Sequence, residues 1–186
     1  MIDSLLNKKA PHFLLKDSNN KNTSLESFKE RWLVIFFYPK DDTPGCTKEA
    51  CLLRDDYSEI QSLNTQIIGI NTDSVESHRK FQEKHKLPFA LLSDVDGLIS
   101  RKYYALYKLF FIKFSKRRSF IVDPQGAIKK IYKSVNPAIH STEIISDLQL
   151  MQRKRINNIL QHGNPQIYTE AIDIAAYCSQ ATFSVT

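Results

Sequence analysis

The run Trp32 to Tyr38, seven apolar residues without interruption, constrains this chain more than any other feature. Val, Ile, Phe, Trp and Tyr suit a pleated strand. A run with no polar alternation reads as a strand covered on both faces, the kind found inside an α/β sheet. It stops at Pro39, and Lys40-Asp41-Asp42-Thr43-Pro44-Gly45 follows. Thr43-Pro44 is a helix start, because Thr can cap and Pro tolerates the first helical position. A buried strand therefore feeds directly into a helix that begins at Pro44.

The remaining elements extend this pattern. Gln66–Asn71 and, more weakly, Pro88–Asp94 read as further strands. Ser119–Asp123 and Ala127–Tyr132 flank the turn residues Asp123-Pro124-Gln125-Gly126 and predict a hairpin. Helical patterns run from about Pro44 to Leu63, from Ser74 to His85 with Val75, His78, Phe81 and Gln82 on one side, and from about Gly97 to Leu106. A last helix is expected from near Ser141, with Ile144, Ile145, Leu148 and Met151 as its stripe. Strands alternating with helices and ending in a hairpin and a helix predict an α/β fold, a central mixed sheet flanked by helices.

At 186 residues and 42% hydrophobic content, the chain suits one domain with an appendage. Composition turns polar and basic after Leu150, so residues 1–150 are expected to form the domain. Residues 151–186 are an extension, broken at Asn164-Pro165, with one further amphipathic helix. The apolar run of seven residues is far short of the roughly 20 that a membrane span needs. No secretory signal is read at the N-terminus. Three cysteines make no disulfide scaffold, which points to a reducing, cytoplasmic location. The net charge of +6 is moderate. The basic, aromatic segment from Lys102 to Arg118 suggests a membrane surface or nucleic acid. It reads more simply as a loop whose aromatics cover a neighbouring pocket, so no nucleic-acid partner is expected.

The chemistry lies at Cys46. A helix starting at Pro44 puts it at the third helical position. Free N–H groups and the positive end of the helix dipole stabilise a thiolate there, and the thiolate is the reactive form. The Thr43 hydroxyl can reach the same pocket. Cys51 lies five residues on, so ideal helix geometry sets the two Cα atoms roughly 8–9 Å apart and about 140° around the axis. A disulfide needs about 7 Å or less, so the two sulfurs join only if the first turns unwind. Scattered histidines and the lack of a C-x-x-C pair speak against zinc. Cys178 and Tyr168 read as packing residues. Asp41 and Asp42 read as loop solvation, and His78 and His85 as partly exposed helix residues.

The string Phe37-Tyr-Pro-Lys-Asp-Asp-Thr-Pro-Gly-Cys-Thr-Lys-Glu-Ala-Cys51 resembles the active-site signature of peroxiredoxins, and in particular the Q-type subgroup, also called bacterioferritin comigratory protein. GINTDS, LLSDVDG and RRSFIVDPQG extend the likeness over about residues 5–150. The resemblance implies a thioredoxin-like fold and thiol-dependent reduction of hydrogen peroxide and organic hydroperoxides. Cys46 matches the attacking cysteine, Thr43 the peroxide-bonding threonine and Pro39 the residue shielding the pocket. Cys51 matches the resolving cysteine. The pocket arginine falls at Arg117, with Arg118 as the alternative one residue away. Glu49 matches a frequent acidic residue, read as structural and near Arg117 or the helix start. The implied partners are hydroperoxides and thioredoxin or a similar dithiol, with no metal, haem or flavin, and the assembly is a monomer. Two other readings of the motif are a thiol–disulfide oxidoreductase, disfavoured by the missing C-x-x-C, and a redox sensor without turnover.

Overall fold

The computed structural model describes residues 1–110 and 112–162. The chain divides into two units, residues 1–142 and a second that begins at Glu143. In chain order the elements are β1 (Leu14–Asp17), β2 (Asn22–Ser24), β3 (Trp32–Phe37), α1 (Pro44–Asp55), α2 (Tyr57–Ser62), β4 (Thr65–Asn71), α3 (Val75–His85), β5 (Ala90–Ser93), α4 (Leu98–Lys102), β6 (Leu106–Leu109), β7 (Ile112–Ser115), β8 (Arg118–Val122), β9 (Ile128–Tyr132) and α5 (His140–His162). Among the described residues, seven strands form one sheet in the order β2-β1-β5-β4-β3-β8-β9. β3 pairs in parallel with β4 and antiparallel with β8, so the sheet is mixed as expected.

β3 is buried at all six positions. Leu33, Ile35 and Phe37 face a core shared with Ile68, Ile70, Leu92, Tyr103, Phe120 and Val122. Val34, Phe36 and Tyr38 point to the other face, where Phe36 meets Phe89 edge-on at 5.7 Å between ring centroids and Tyr38 meets Phe81 at 6.3 Å. Each such side chain contributes roughly 1.5–3 kcal/mol by leaving water. The contact between β3 and β4 is so close that a Cβ on Gly69 would lie 2.7 Å from the Phe36 ring and from Leu91. Only glycine fits there.

Four local differences from expectation have physical causes. The helix read from Pro44 to Leu63 breaks at Asp56, which leaves helical geometry at φ −92°, ψ 8° and divides it into α1 and α2. The helix read from Gly97 to Leu106 is the short α4: Asp94 accepts from the N–H groups of Ile99 and Ser100 at its start, and Tyr104 ends it at φ 55°. β1 and β2 form an unread hairpin, whose turn is organised by Asp17 accepting from the N–H groups of Asn19 and Lys21 at 2.9 Å. The segment read as a pocket-covering loop is the β6–β7 hairpin, with Leu109, Phe110 and Ile112 exposed rather than laid over a pocket.

In the second unit α5 runs unbroken past Leu150, where the composition changes, to His162. Ile144, Ile145 and Leu148 of the expected stripe are buried. Tyr168, Cys178 and the helix read around them lie outside the described residues. Among those described, no helix is long and apolar enough to cross a membrane.

Candidate active site

The end of β3 places the loop Tyr38–Asp42, and that loop places the start of α1. Thr43 is the residue before the helix, with Pro44 first and Cys46 third. Cys46 is 2% exposed, inside the N-terminal turn. Pro39 is half-buried, directly after Tyr38. The Thr43 carbonyl accepts from Thr47 N–H at 2.8 Å, starting the helix through its backbone. Its hydroxyl does not cap the helix but donates to the Lys40 carbonyl at 3.0 Å, closing the loop instead.

Arg117 comes to Cys46 through sheet register. Phe37, the last residue of β3, pairs with Arg118, the first of β8. Arg117 thus stands one step beyond the ladder, level with the loop. Successive side chains of an extended chain point to opposite faces, so the two arginines diverge. The Arg117 guanidinium donates from Nη2 to Cys46 Sγ at 3.3 Å, whereas Arg118 donates to the Tyr104 carbonyl. Gly45 leaves room for the first contact: a Cβ there would meet Arg117 Nη2 at 3.2 Å.

Glu49, one helical turn after Cys46, receives the other arm of Arg117 on Oε2, and its side chain is fully buried. Burial raises its carboxyl to about 7, with the charge and hydrogen bond of Arg117 opposing. His140 Nε2 lies 3.9 Å from the second carboxylate oxygen and 2.8 Å from the Ser119 hydroxyl. Burial, and then the charge of Arg117, lower this imidazole to about 4. At neutral pH His140 is therefore uncharged, and the guanidinium is the cation of the site. It is shared between a sulfur and a carboxylate.

The loop itself is anchored from behind. Asp41, read from the sequence as solvated, is 8% exposed. Its Oδ1 accepts from Tyr38 Oη at 2.7 Å and from Asn71 Nδ2 at 3.2 Å. Its Oδ2 accepts from Ser77 Oγ at 2.7 Å and meets His78 Nδ1 at 2.8 Å. Its N–H donates to Asp73 Oδ2. Burial works to raise the Asp41 carboxyl, but the bond and charge of His78, with Ser77 and Tyr38, outweigh it and hold the group below its ordinary value. His78, also read as partly exposed, is fully buried. This network ties the residues before Thr43 to β4 and α3.

Asp42, the neighbour, faces the other way. Its carboxylate accepts from Lys84 Nζ at 2.6 Å and meets His85 Nε2 at 3.0 Å. The opposite nitrogen of His85, Nδ1, lies 3.9 Å from Cys51 Sγ. Cys46 and Cys51 are both free thiols on the one helix, α1.

Comparison with known proteins matches residues 6–131 to the AhpC/TSA family. The chain belongs to that family. Among its relatives, the putative chloroplastic peroxiredoxin Q of Oryza sativa subsp. indica is 40% identical over 141 residues, 75% of this chain and 64% of that protein. The chain thus spans slightly less than two thirds of the length of this rice relative. The putative peroxiredoxin bcp of Coxiella burnetii is 37% identical over 145 residues, 76% of this chain and 96% of that one. The crystal structure of peroxidoxin BcpB from Mycobacterium tuberculosis superposes with a TM-score of 0.74 at 28% identity, covering 78% of this chain and 96% of that one. The Xanthomonas campestris bacterioferritin comigratory protein, studied for alkyl peroxide reduction, gives 0.71 at 30% identity, covering 75% and 91%. The peroxiredoxin Q/bcp resemblance drawn from the motif and the thioredoxin-like α/β fold both hold for this AhpC/TSA chain.

The sequence carries no sign of Asn71, Asp73 and Ser77 as anchors, and it shows neither the bond of His78 to Asp41 nor the pairing of Asp42 with His85. They lie 30 to 43 residues from their partners in the chain, and only the packing of β4 and α3 behind the loop unites them. The one visible signal was Asp41-Asp42, two adjacent carboxylates that point to two different clusters.

Proposed function

We propose that this protein is a thiol peroxidase that reduces hydrogen peroxide and organic hydroperoxides. The observation that carries the reading is the Arg117 guanidinium donating to Cys46 Sγ at 3.3 Å within the first turn of α1. A cation and free helix N–H groups around one sulfur favour its thiolate. The thiolate attacks one peroxide oxygen, the S–O bond forms and the O–O bond breaks, and the leaving hydroxide or alkoxide takes up a proton, equivalent to the one the thiol released, to give water or the alcohol. Cys46 is left as a sulfenic acid. Arg117 offsets the charge that moves onto the oxygens. The Thr43 hydroxyl, on the residue before the helix, orients the peroxide, and half-buried Pro39 shields the pocket.

Cys51 then attacks the sulfenic sulfur, giving an intramolecular disulfide and water. Thioredoxin or a similar dithiol restores both thiols. Residues 1–150 form the domain that carries this chemistry, and residues 151–186 are an extension outside it. The working assembly is a monomer, and the compartment is the cytoplasm, in keeping with cysteine usage that provides no disulfide scaffold.

The test is turnover with thioredoxin, its reductase and hydrogen peroxide. Cys46→Ser is expected to abolish it, and Cys51→Ser to leave the first oxidation in place while a sulfenate accumulates. Substantial turnover by Cys46→Ser would overturn the assignment.

A further inference from the structure

We propose that His85 is the general base for the resolving thiol Cys51, with Asp42 as its positioning residue. This rests on the peroxidase reading above and extends it to a residue outside the Cys46 pocket. The three groups form a chain: Cys51 Sγ to His85 Nδ1 at 3.9 Å, and His85 Nε2 to Asp42 Oδ1 at 3.0 Å. A carboxylate only accepts, so the ring proton of neutral His85 sits on Nε2. The lone pair on Nδ1 then faces the thiol, which is the tautomer a base requires. Thiol, imidazole and carboxylate in this order are the elements of an activated nucleophile.

The surroundings hold the ring in place. Phe81 packs against His85 edge-on at 5.1 Å, and Arg54 Nη1 donates to the His85 carbonyl at 2.7 Å. His85 is the last residue of α3. The other charged groups facing the pair are Lys84, which shares Asp42, and Arg54, which pairs with Asp55 and whose charge lies beside Cys51. The Lys84 charge is taken up by the second oxygen of Asp42, Oδ2, at 2.6 Å.

The helix geometry dictates the order of events. Cys51 meets His85 while α1 is folded, whereas it can meet Cys46 only after the first turns unwind. Nδ1 therefore takes the thiol proton first. The Cys51 thiolate then attacks the Cys46 sulfenic sulfur, the S–S bond forms and the S–O bond breaks. The departing hydroxide takes up the proton that the imidazolium returns, and leaves as water. The Cys51 sulfur is oxidised and the sulfenic sulfur reduced by one formal unit each, so no outside oxidant or reductant enters.

The experiment is rapid quench of the full chain after one equivalent of hydrogen peroxide, with a sulfenate trap and a thiol alkylator, read by peptide mass spectrometry across pH. His85→Phe keeps a ring against Phe81 but removes the base. It is expected to slow Cys46–Cys51 disulfide formation about 100-fold near neutral pH, within the usual range for a general base. The deficit is expected to vanish above about pH 8.5, where a free thiol ionises unaided, and to be partly rescued by added imidazole. Asp42→Asn, a change at an exposed side chain, is expected to act in the same direction with a smaller loss. Disulfide formation by both variants at the wild-type rate and pH profile would overturn the role of His85 alone. Wild-type protein that forms no sulfenate at Cys46 would overturn the peroxidase reading and this inference with it.

Discussion

Replacing Arg117 by Met removes the guanidinium while keeping most of the side-chain length. Two unit charges 3.3 Å apart interact by about 5 kcal/mol at an effective dielectric constant near 20. That figure is a ceiling, since the helix terminus shares the work and the Arg117 side chain is 19% exposed. Hydrogen bonds to charged groups give about 1.5–3 kcal/mol in practice, equivalent to roughly 10- to 150-fold in rate. Glu49 limits the damage. Without Arg117, burial acts on its carboxyl unopposed and raises it further, so the group takes up a proton at neutral pH and leaves no second negative charge near Cys46. The expected outcome is a Cys46 oxidation rate by hydrogen peroxide about 10- to 150-fold below wild type at pH 7, measured by rapid quench and alkylation. Arg117→Lys keeps the charge but has one nitrogen for two partners, and falls between. An Arg117→Met rate within about threefold of wild type would refute the electrostatic argument.

Other outcomes follow from the same contacts. Gly45→Ala puts a Cβ 3.2 Å from Arg117 Nη2, at the flexible end of that side chain; it should slow Cys46 oxidation several-fold with little change in thermal midpoint. Asp41→Asn breaks a buried, multiply bonded carboxylate and should cost about 3 kcal/mol at neutral pH in denaturant unfolding. Because the folded Asp41 carboxyl lies below its ordinary 3.8, its contribution is present above that value and is lost as pH falls through the folded one. The gap between wild type and Asp41→Asn should therefore narrow in acid. A gap that persists unchanged would mean the charge is not what stabilises the loop. Gly69→Ala forces a Cβ to 2.7 Å from Phe36 and Leu91; it should destabilise the fold by about 1–3 kcal/mol, read as a drop of several degrees in circular-dichroism melting.

The parts of this molecule that were legible in its sequence are those whose cause is local. An unbroken apolar strand, a Thr-Pro helix start and a cysteine two residues later are neighbours in the chain, and their chemistry follows from adjacency. Arg117 was legible because its motif fixed it within one residue, and strand alternation separates it from Arg118. The rest was set by tertiary packing. Asp41 and Asp42 look alike as a dipeptide, yet β4 and α3 give one a buried network and the other Lys84 and His85. Cys51 gives no local sign of its histidine, 34 residues on. The β1–β2 hairpin was missed because its strands, of four and three residues, are too short to show a period. Asp56 breaks a helix inside an otherwise continuous helical pattern, with neither Gly nor Pro to mark it.

Peptide mass spectrometry of the reduced protein after a single equivalent of hydrogen peroxide tests the central claim most directly. The account predicts oxygen on Cys46 first and then a Cys46–Cys51 disulfide, with Cys178 unmodified. An unmodified Cys46 with peroxide left unconsumed, or first oxidation at Cys51 or Cys178, would contradict it.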